Sequence, residues 1–310
     1  MAMPMVEIEK LSKRYGAVKA LEDVNLSVGR GELFGLIGPD GAGKTTLFRI
    51  LASLLLPDSG YARVNGFDVV NDYKQIRCIT GYMPGRFSLY QDLSVEENLQ
   101  FYASVFGTTI SENYYLIKDI YSQIEPFRKR PAGKLSGGMK QKLALSCALI
   151  HKPEILILDE PTTGVDAVSR KEFWQMLARL KQEEITILVS TPYMDEAAMC
   201  DRVALIQKGA ILDIDTPALI ASRFSQTLYA VRSDQIYRLI NDLRAFPLIG
   251  TVYAFGQYLH VTASSKVDIM DETRQYMQMK GHREIEIFTI EPGIEDYFME
   301  LMTSHEPINR

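Results

Sequence analysis

The 310-residue sequence contains few cysteines, one tryptophan and no excess of basic side chains. Its three cysteines, Cys78, Cys147 and Cys200, do not form a CxxC pair. That spacing argues against a disulfide framework or a zinc site, and it is typical of a protein in a reducing compartment. The formal net charge is −5, so the chain lacks the positive surface that neutralises a nucleic-acid backbone. We therefore expect no nucleic-acid partner.

The sequence also lacks a long apolar run. Its most apolar segments, around 51–56 and 155–158, are interrupted by a charged residue or a proline long before the roughly 20 residues that span a bilayer. The first residues, Met1–Met5, do not have the apolar core of a signal peptide. These absences predict a cytoplasmic protein that would reach the inner face of the cell membrane only through a partner.

Strand-like and helix-like segments alternate over the first two thirds of the chain. Residues 5–37 have the pattern of short strands, and the last of these leads into a glycine-rich loop and the helical pattern of Thr45–Leu54. The alternation resumes at Ile155–Leu158, after a helical stretch at about 86–152. This order predicts an α/β domain over residues 1–220, in which helices cover both faces of a mostly parallel sheet and the helical stretch is an inserted arm.

The remaining residues, 221–310, have a different pattern. Strands are predicted at 227–231, 251–255, 258–262 and 284–290, with helices at 235–244, 266–280 and 294–302. The order βαββαβ is typical of a small α+β domain of the ferredoxin-like type. No second glycine-rich loop occurs in this part. We therefore expect an accessory domain outside any nucleotide site, with a regulatory or dimer-contact role.

One segment fits the phosphate-binding pattern GxxxxGK[ST]. Its residues are Gly38, Pro39, Asp40, Gly41, Ala42, Gly43, Lys44 and Thr45, followed by Thr46. A predicted strand precedes the segment and a predicted helix follows it, as this motif requires. Backbone N–H groups of the glycines would then close around the β- and γ-phosphates of a nucleotide, with Lys44 bridging phosphate oxygens, Thr45 binding Mg²⁺ and Thr46 contacting the α-phosphate. The alternative interpretation is a glycine-rich turn between strand and helix that binds no nucleotide.

Two other polar motifs accompany this loop. The apolar strand at 155–158 ends in Asp159 and Glu160, which would lie at the carboxyl edge of the sheet, where open α/β sheets bind ligands. A solvated pair of acids capping a helix is the alternative. Ser136-Gly137-Gly138 opens a predicted helix and combines a hydroxyl, two small residues and a helix N-terminus, which together make a second anion site. Taken alone, this triplet predicts a plain helix cap.

With these three motifs in this order, residues 5 to about 215 resemble the ATPase subunit of an ATP-binding cassette (ABC) transporter. The resemblance implies a P-loop NTPase cassette with an antiparallel β subdomain, which binds ATP and Mg²⁺. It implies that Asp159 holds Mg²⁺ through water and that Glu160 polarises the attacking water as a general base. It also implies that Ser136-Gly137-Gly138 faces the ATP of a partner cassette, so that two ATP molecules lie between two chains.

The resemblance gives two more residues a role. Tyr15 would stack on the adenine ring, although without the resemblance it is equally an aromatic residue at a strand edge. Asp166, in Gly164-Val165-Asp166, would belong to the loop by which the two protomers of a dimer sense each other next to the nucleotide.

Besides Val165, which stands where leucine is usual, the sequence departs from the family at three positions. Gly85 stands where the family has a glutamine that reaches Mg²⁺ and the attacking water. Pro192 stands where the family has a histidine that contacts the γ-phosphate, and proline offers neither a polar side chain nor a backbone N–H. Asp40 stands where asparagine is frequent, and a carboxylate next to phosphates is unfavourable, so we expect Asp40 to point away or to pair with a cation.

These features predict the ATP-hydrolysing subunit of an ABC exporter of the multidrug type, which works with separate membrane (permease) subunits and forms a dimer with itself or a related cassette. The run at 81–99 and the segment Ala132–Leu135 are the parts most similar to that branch. Two alternatives stay open at this point. One is a soluble cassette ATPase that acts on ribosomes or DNA, and the other is a slowly hydrolysing or non-hydrolysing ATP-dependent switch, which Gly85 and Pro192 favour.

Overall fold

A computed structural model describes residues 3–265 and 268–305. The chain forms two compact units, and the division between them falls after Pro217. The boundary predicted after residue 220 lies three residues further along, inside the short helix Pro217–Ser222. Among the described residues, no helix combines the length and the apolar character needed to cross a bilayer.

The N-terminal unit contains both predicted kinds of element. Its strands are β1 (Val6–Tyr15), β2 (Val18–Val28), β3 (Leu33–Ile37), β4 (Ser59–Val64), β5 (Phe67–Asp68), β6 (Thr80–Met83), β7 (Ile155–Asp159), β8 (Thr186–Thr191), β9 (Arg202–Gln207) and β10 (Ala210–Asp215). Its α-helices are α1 (Lys44–Leu51), α2 (Tyr73–Ile79), α3 (Val95–Val105), α4 (Ile110–Tyr121), α5 (Gly137–Leu149) and α6 (Ala167–Leu180), and α7 (Pro217–Ser222) follows at the division. Short 3₁₀ helices occur at Glu125–Phe127, Ala132–Lys134, Lys181–Glu183 and Met194–Met199.

The central sheet has the strand order β10-β9-β3-β8-β7-β6. All neighbours from β9 to β6 are parallel, and only β10 runs antiparallel to β9. Every residue of β3, β7 and β8 is buried, as expected for parallel strands that are covered on both faces. The predicted mostly parallel sheet is therefore confirmed, and the carboxyl ends of its strands share one edge.

A second, antiparallel sheet has the order β2-β1-β4-β5, which confirms the β subdomain. Here β1 and β2 are longer than the short strands that the sequence indicates in this region, because register shifts interrupt their pairing and with it the alternation of apolar residues. Apolar side chains of this sheet, of α1 and of the central sheet form one core. Its buried members include Val6, Leu11, Val24, Phe34, Leu47, Phe48, Ile155, Ile157, Leu188 and Ile206.

Helices α3, α4 and α5 lie between β6 and β7 in the chain and form the arm that the sequence predicts at about 86–152. The first of them begins with a capping box, in which the Ser94 hydroxyl accepts a hydrogen bond from the backbone N–H of Glu97 and the Glu97 carboxylate accepts one from the N–H of Ser94. The fully buried Asn98 amide donates to the carbonyl oxygens of Tyr90, Leu93 and Ser94. This amide thereby fixes the loop that enters the arm.

The C-terminal unit consists of β11 (Leu228–Arg232), α8 (Ile236–Arg244), β12 (Ile249–Phe255), β13 (Tyr258–Ala263), α9 (Met270–Met279), β14 (Glu286–Ile290) and α10 (Ile294–His305). Its antiparallel sheet has the order β12-β13-β11-β14, which is the ferredoxin-like arrangement of a βαββαβ unit. This part of the predicted fold is confirmed. The helix predicted at 266–280 begins at Met270, and its first two predicted residues lie outside the described part of the chain.

Candidate nucleotide-binding site

The glycine-rich loop between β3 and α1 is in close contact with neighbouring backbone. A Cβ atom on Gly38 would lie 2.1 Å from the carbonyl oxygen of Ile206, and one on Gly43 would lie 2.4 Å from that of Ala20. Gly43 also has a φ of +109°, which favours glycine. Glycine is therefore required at positions 38 and 43 by this conformation, and the first turn of α1 directs its backbone N–H groups to the loop.

The same loop is hydrogen-bonded to the turn between β9 and β10. The N–H of Gly209 donates to the carbonyl oxygen of Ala42 at 2.9 Å, and the carbonyl oxygen of Gly209 accepts from the N–H of Glu22 at 2.9 Å. A Cβ atom on Gly209 would lie 2.8 Å from the carbonyl oxygen of Ala20. One turn therefore joins the loop to β2 of the antiparallel sheet.

Lys44 lies at the centre of the site and is only 3% exposed. Its ammonium donates to the carbonyl oxygens of Gly38 at 2.7 Å and Pro39 at 3.0 Å, and it forms an ion pair with the Glu160 carboxylate at 3.1 Å. A buried ammonium needs such partners to compensate for lost hydration. The structure thus brings together the lysine of the first motif and the glutamate of the second.

Asp159 and Glu160 follow β7 at the carboxyl edge of the sheet. Ser190, which is opposite Asp159 on β8, donates its hydroxyl to Asp159 Oδ1 at 2.8 Å and accepts the backbone N–H of Glu160 at 3.0 Å. Glu160 has a φ of +49°, a conformation that costs a non-glycine residue about 1 kcal/mol or more. Sequence reasoning missed Ser190, although a hydroxyl near the end of the otherwise apolar Ile187–Val189 run is a usable signal.

The two departures from the family pattern lie at the same edge. A Cβ atom on Gly85 would be 3.1 Å from the carbonyl oxygen of Asp159 and 3.8 Å from its Oδ2, so a longer side chain would begin beside that carboxylate. Pro192 directly follows Thr191, the last residue of β8. The next residue, Tyr193, donates its N–H to the Thr191 hydroxyl at 3.0 Å.

Glu196 is a second residue that the sequence reasoning missed. Its buried carboxylate accepts hydrogen bonds from the hydroxyls of Thr162 at 2.8 Å and Thr191 at 2.5 Å. An acid in the segment after a predicted strand gives no distinctive pattern. Only the folded chain reveals the contact with Thr162, because that threonine lies 34 residues away, in the loop after β7.

Ser136, Gly138 and Asp166 are grouped at α5 and α6. The Ser136 hydroxyl accepts the N–H of Met139 at 3.4 Å, and the Asp166 carboxylate accepts the N–H groups of Val168 and Ser169 at 3.1 and 3.0 Å. The hydrogen bond from the Ser169 backbone is the main cause of a lowered pKa at Asp166. A Cβ atom on Gly138 would lie 3.0 Å from the Ser169 hydroxyl. Within one chain, Ser136 and Asp166 thus act as helix caps.

Tyr15 and Asp40 are both exposed. Tyr15, 48% exposed, pairs with Val18 where β1 turns into β2, and two residues later the carbonyl of Ala20 approaches the glycine loop at Gly43. The ring therefore lies on the hairpin that flanks this loop. Asp40 is at the solvent-facing tip of the loop. Their roles toward a nucleotide stay predictions, as do those of Thr45 and Thr46.

Comparisons with known proteins agree with this geometry. A model of the ABC transporter family matches residues 21–163. The chain is 37% identical over 315 residues to YbhF, a probable multidrug ABC transporter ATP-binding protein of Escherichia coli K12, with 98% of this chain and 54% of YbhF covered. It thus spans about half the length of that relative.

A second relative is similar over nearly its whole length. The chain is 31% identical over 319 residues to the daunorubicin resistance ATP-binding protein DrrA2 of Streptomyces coeruleorubidus, with 98% of this chain and 96% of DrrA2 covered. The solved structure of cbiO1 from Clostridium perfringens, part of the ABC transporter complex cbiONQ, superposes with a TM-score of 0.64 at 26% identity over 72% of this chain and 92% of cbiO1. Sequence, fold and the assembled motifs therefore agree that this chain belongs to the ABC transporter family, as an ATP-binding cassette protein.

Proposed function

We propose that the chain binds and hydrolyses ATP as the nucleotide-binding subunit of an ABC exporter, and that separate membrane subunits carry the substrate. The observation that carries this proposal is the contact of Lys44 with Glu160 beside Asp159, at the end of a glycine loop. The names of two relatives, a probable multidrug transporter protein and a daunorubicin resistance protein, support export. The same relatives disfavour a soluble cassette that acts on ribosomes or DNA.

Lys44 is the residue on which nucleotide binding depends in this proposal. Its ammonium would exchange the carbonyl oxygens of Gly38 and Pro39, and the Glu160 carboxylate, for oxygens of the β- and γ-phosphates. The N–H groups of the loop from Gly38 to Gly43 would complete the phosphate cradle at the start of α1. Thr46 would contact the α-phosphate and Tyr15 would stack on adenine.

The residues present also fit Mg²⁺. Thr45, in the first turn of α1, and Asp159 supply the hydroxyl and carboxylate oxygens that this ion prefers. The Ser190 hydroxyl on Oδ1 orients the Asp159 carboxylate, as supporting residues do at metal sites. Bound there with the triphosphate, Mg²⁺ would neutralise charge on the phosphates.

Glu160 would act as the general base. Its backbone is held in a positive-φ conformation by two hydrogen bonds from its N–H, to the hydroxyl and the carbonyl oxygen of Ser190. This support would aim the carboxylate at a water molecule in line with the γ-phosphate. When Lys44 binds the phosphates instead of Glu160, the Glu160 carboxylate would be free to accept a proton from that water molecule.

ATP would also hold two cassettes together. Ser136 and Gly137 are exposed at the start of α5, where Ser136-Gly137-Gly138 would meet the triphosphate held by the partner's loop. Asp166, exposed at the start of α6 and adjacent to this turn, would contact the partner across the same interface. The partner is a second copy or a related cassette.

The membrane subunits would bind near the arm, and the protein would lie peripherally on the inner face of the membrane. A cavity of about 40 Å³ between β6 and α5 is lined by Met83, Phe87, Leu89, Tyr102 and Ala144, among others. It adjoins Gly85, so a short helix of the permease packed over the mouth of this cavity would lie close to the nucleotide site. This contact would couple dimer closure to transport.

A slow or non-hydrolysing switch is the second candidate, because Gly85 and Pro192 remove two polar groups at the edge that holds Asp159. The deciding experiment compares steady-state ATP turnover of the wild type with that of Glu160→Gln, in the isolated chain and with its membrane subunits. We expect slow but measurable turnover that depends on Glu160. A wild type no faster than Glu160→Gln would leave the switch as the correct function.

A further inference from the structure

The buried carboxylate of Glu196 joins two loops at the edge of the site. It is 4% exposed, and it accepts the hydroxyls of Thr162 and Thr191, which are themselves buried. Thr162 lies two residues after Glu160, and Thr191 lies one residue before Pro192. One side chain therefore fixes the position of the loop after β7 relative to the loop after β8.

The only cation paired with this carboxylate in the described part of the chain is Arg170. Its Nε lies 3.9 Å from Glu196 Oε1, and its guanidinium lies 4.8 Å from the centre of the Tyr193 ring. Arg170 is in the first turn of α6, where its N–H donates to the carbonyl oxygen of Asp166. The contacts of Glu196 thus reach the helix start that would meet a partner cassette.

A carboxylate is a costly choice for merely satisfying two hydroxyls in a core. Burial of a charge at this depth costs several kcal/mol unless partners compensate for it. Apolar side chains in place of the carboxylate and the hydroxyls would avoid that cost. Pro192 explains why the link matters in this chain. Since proline has no N–H and no polar side chain, its loop is held instead through Thr191, which accepts the Tyr193 N–H and donates to Glu196.

We infer that Glu196 is a positioning residue for ATP hydrolysis, which keeps the Glu160 loop and the Pro192 loop at one spacing across the γ-phosphate. The inference rests on the proposed function. In the part of the chain that the structure describes, the hydrogen bonds and the ion pair of Glu196 do not involve Lys44 or the glycine loop, so its effect falls on turnover rather than on nucleotide binding. Loss of the link lets the two loops move independently and misplaces Glu160.

The test measures kcat, KM and ATP affinity for Glu196→Ala, Glu196→Gln and Asp195→Ala. Asp195 is the matched control, because it is the exposed preceding residue of the same 3₁₀ helix. We expect Glu196→Ala to lower kcat by about 10- to 100-fold, as a small misplacement of reacting groups does, with KM and ATP affinity within about 3-fold of wild type. Glutamine accepts one threonine hydroxyl and donates to the other, so Glu196→Gln recovers most of the turnover, and Asp195→Ala matches the wild type.

A second pair of variants tests one arm of the link. Thr162→Val keeps the side-chain shape and removes the hydroxyl, whereas Thr162→Ser keeps the hydroxyl. We expect Thr162→Val to lower kcat, Thr162→Ser to retain it, and the double variant Thr162→Val/Glu196→Ala to be no slower than Glu196→Ala, because both changes break one connection. If Glu196→Ala does not fold, the comparison of Thr162→Val with Thr162→Ser still tests whether this hydrogen bond affects turnover.

Three results would overturn the inference. The first is unchanged kcat in folded Glu196→Ala. The second is a joint loss of kcat and ATP affinity that follows a lower melting temperature, which shows a structural role only. The third is additive loss in the double variant. Wild-type turnover no higher than that of Glu160→Gln would instead overturn the proposed hydrolysis, and with it this inference.

Discussion

The central sheet and the C-terminal sheet of this chain differ in where their strands end, and that difference decides where chemistry is possible. In the N-terminal unit, β3, β7 and β8 are parallel, so the residues that follow them meet at one edge. In the C-terminal unit every neighbouring pair of strands is antiparallel, so successive ends lie at opposite edges. The central sheet therefore collects Lys44, Asp159 and Glu160 from distant parts of the sequence, whereas the described residues of the C-terminal sheet bring no comparable group together.

The buried polar groups of the two units differ as well. In the C-terminal unit, the buried His282 lies 3.0 Å from an Asp242 carboxylate oxygen and 3.1 Å from the Ser233 hydroxyl. These groups satisfy one another and leave no charge directed at a ligand. In the N-terminal unit, Lys44 and Glu160 pair across a loop that a nucleotide would separate. The buried polar groups of the C-terminal unit therefore stabilise its fold, whereas Lys44 and Glu160 of the N-terminal unit are positioned to bind a ligand.

The largest effect expected from this contrast is at Lys44. Lys44→Ala removes the ammonium and leaves Glu160 without its partner, so we expect ATP affinity to fall on the order of 100-fold or more. The exposed Lys19→Ala, on β2, is the control and should bind as the wild type does. Equal ATP affinity of both variants, measured by equilibrium dialysis, would refute the phosphate-loop assignment.

Glu160→Gln should separate binding from hydrolysis. It keeps the shape and removes the base, so turnover should fall by about 100-fold or more while ATP still binds. The closed dimer should then accumulate with Mg²⁺-ATP in size-exclusion chromatography. Glu183→Gln, an exposed change after α6, should hydrolyse ATP normally. If Glu160→Gln remains monomeric with ATP, both alone and with the membrane subunits, the proposed two-chain site is incorrect.

The pH dependence of stability is the next difference expected between the units. In the N-terminal unit, burial lowers the pKa of His151 from 6.5 to about 4. The unfolded chain binds a proton at this residue below about pH 6.5, and the folded chain does so only near pH 4. Stability from this group is therefore complete above pH 6.5 and falls by about 3 kcal/mol as the pH drops to 4. His151→Phe keeps a ring stacked on Phe106 and should lose this component.

The measurement is urea unfolding at pH 7.5 and 4.5, followed by the fluorescence of Trp174, the single tryptophan of the chain, which lies in α6. The wild type should lose more stability than His151→Phe over this interval. An equal loss in both proteins would show that other groups account for the whole pH dependence of this unit.

Pro192→His should have a smaller effect on catalysis. An imidazole beside Thr191 would restore a donor near the γ-phosphate, and we expect turnover to rise by about 3- to 10-fold, below the full value of such contacts, because Gly85 still lacks its polar group. Pro192→Ala is the control for loop rigidity. A similar increase in the alanine variant would attribute the gain to the released loop rather than to the imidazole.

The smallest expected effect is that of removing the C-terminal unit. A chain that ends after Pro217 keeps both sheets and the arm of the N-terminal unit, so its ATP affinity should stay within about 2-fold of the full chain. Loss of binding in a truncated protein with a native circular dichroism spectrum would show that the two units depend on each other.

The sequence predicted the parts of the site that are continuous in the chain. The glycine loop, Asp159-Glu160 and the helix cap at Ser136 depend on neighbours within a few residues, and the strand and helix patterns around them are strong. Ser190 and Glu196 were missed because their bonds cross 31 and 34 residues. The length of β2 was missed for a related reason, since shifts in its pairing with β1 hide the period of two.

The turn at Gly209 has a consequence for how the chain can move. The phosphate loop, this turn and β2 are linked backbone to backbone, without any side chain between them. We therefore expect the phosphate loop and the antiparallel sheet to move together, because a displacement of the loop alone would break these two hydrogen bonds. An ATP-driven movement is then expected in the parts that these bonds do not hold, which are the Gly85 and Pro192 loops and the arm inserted between β6 and β7.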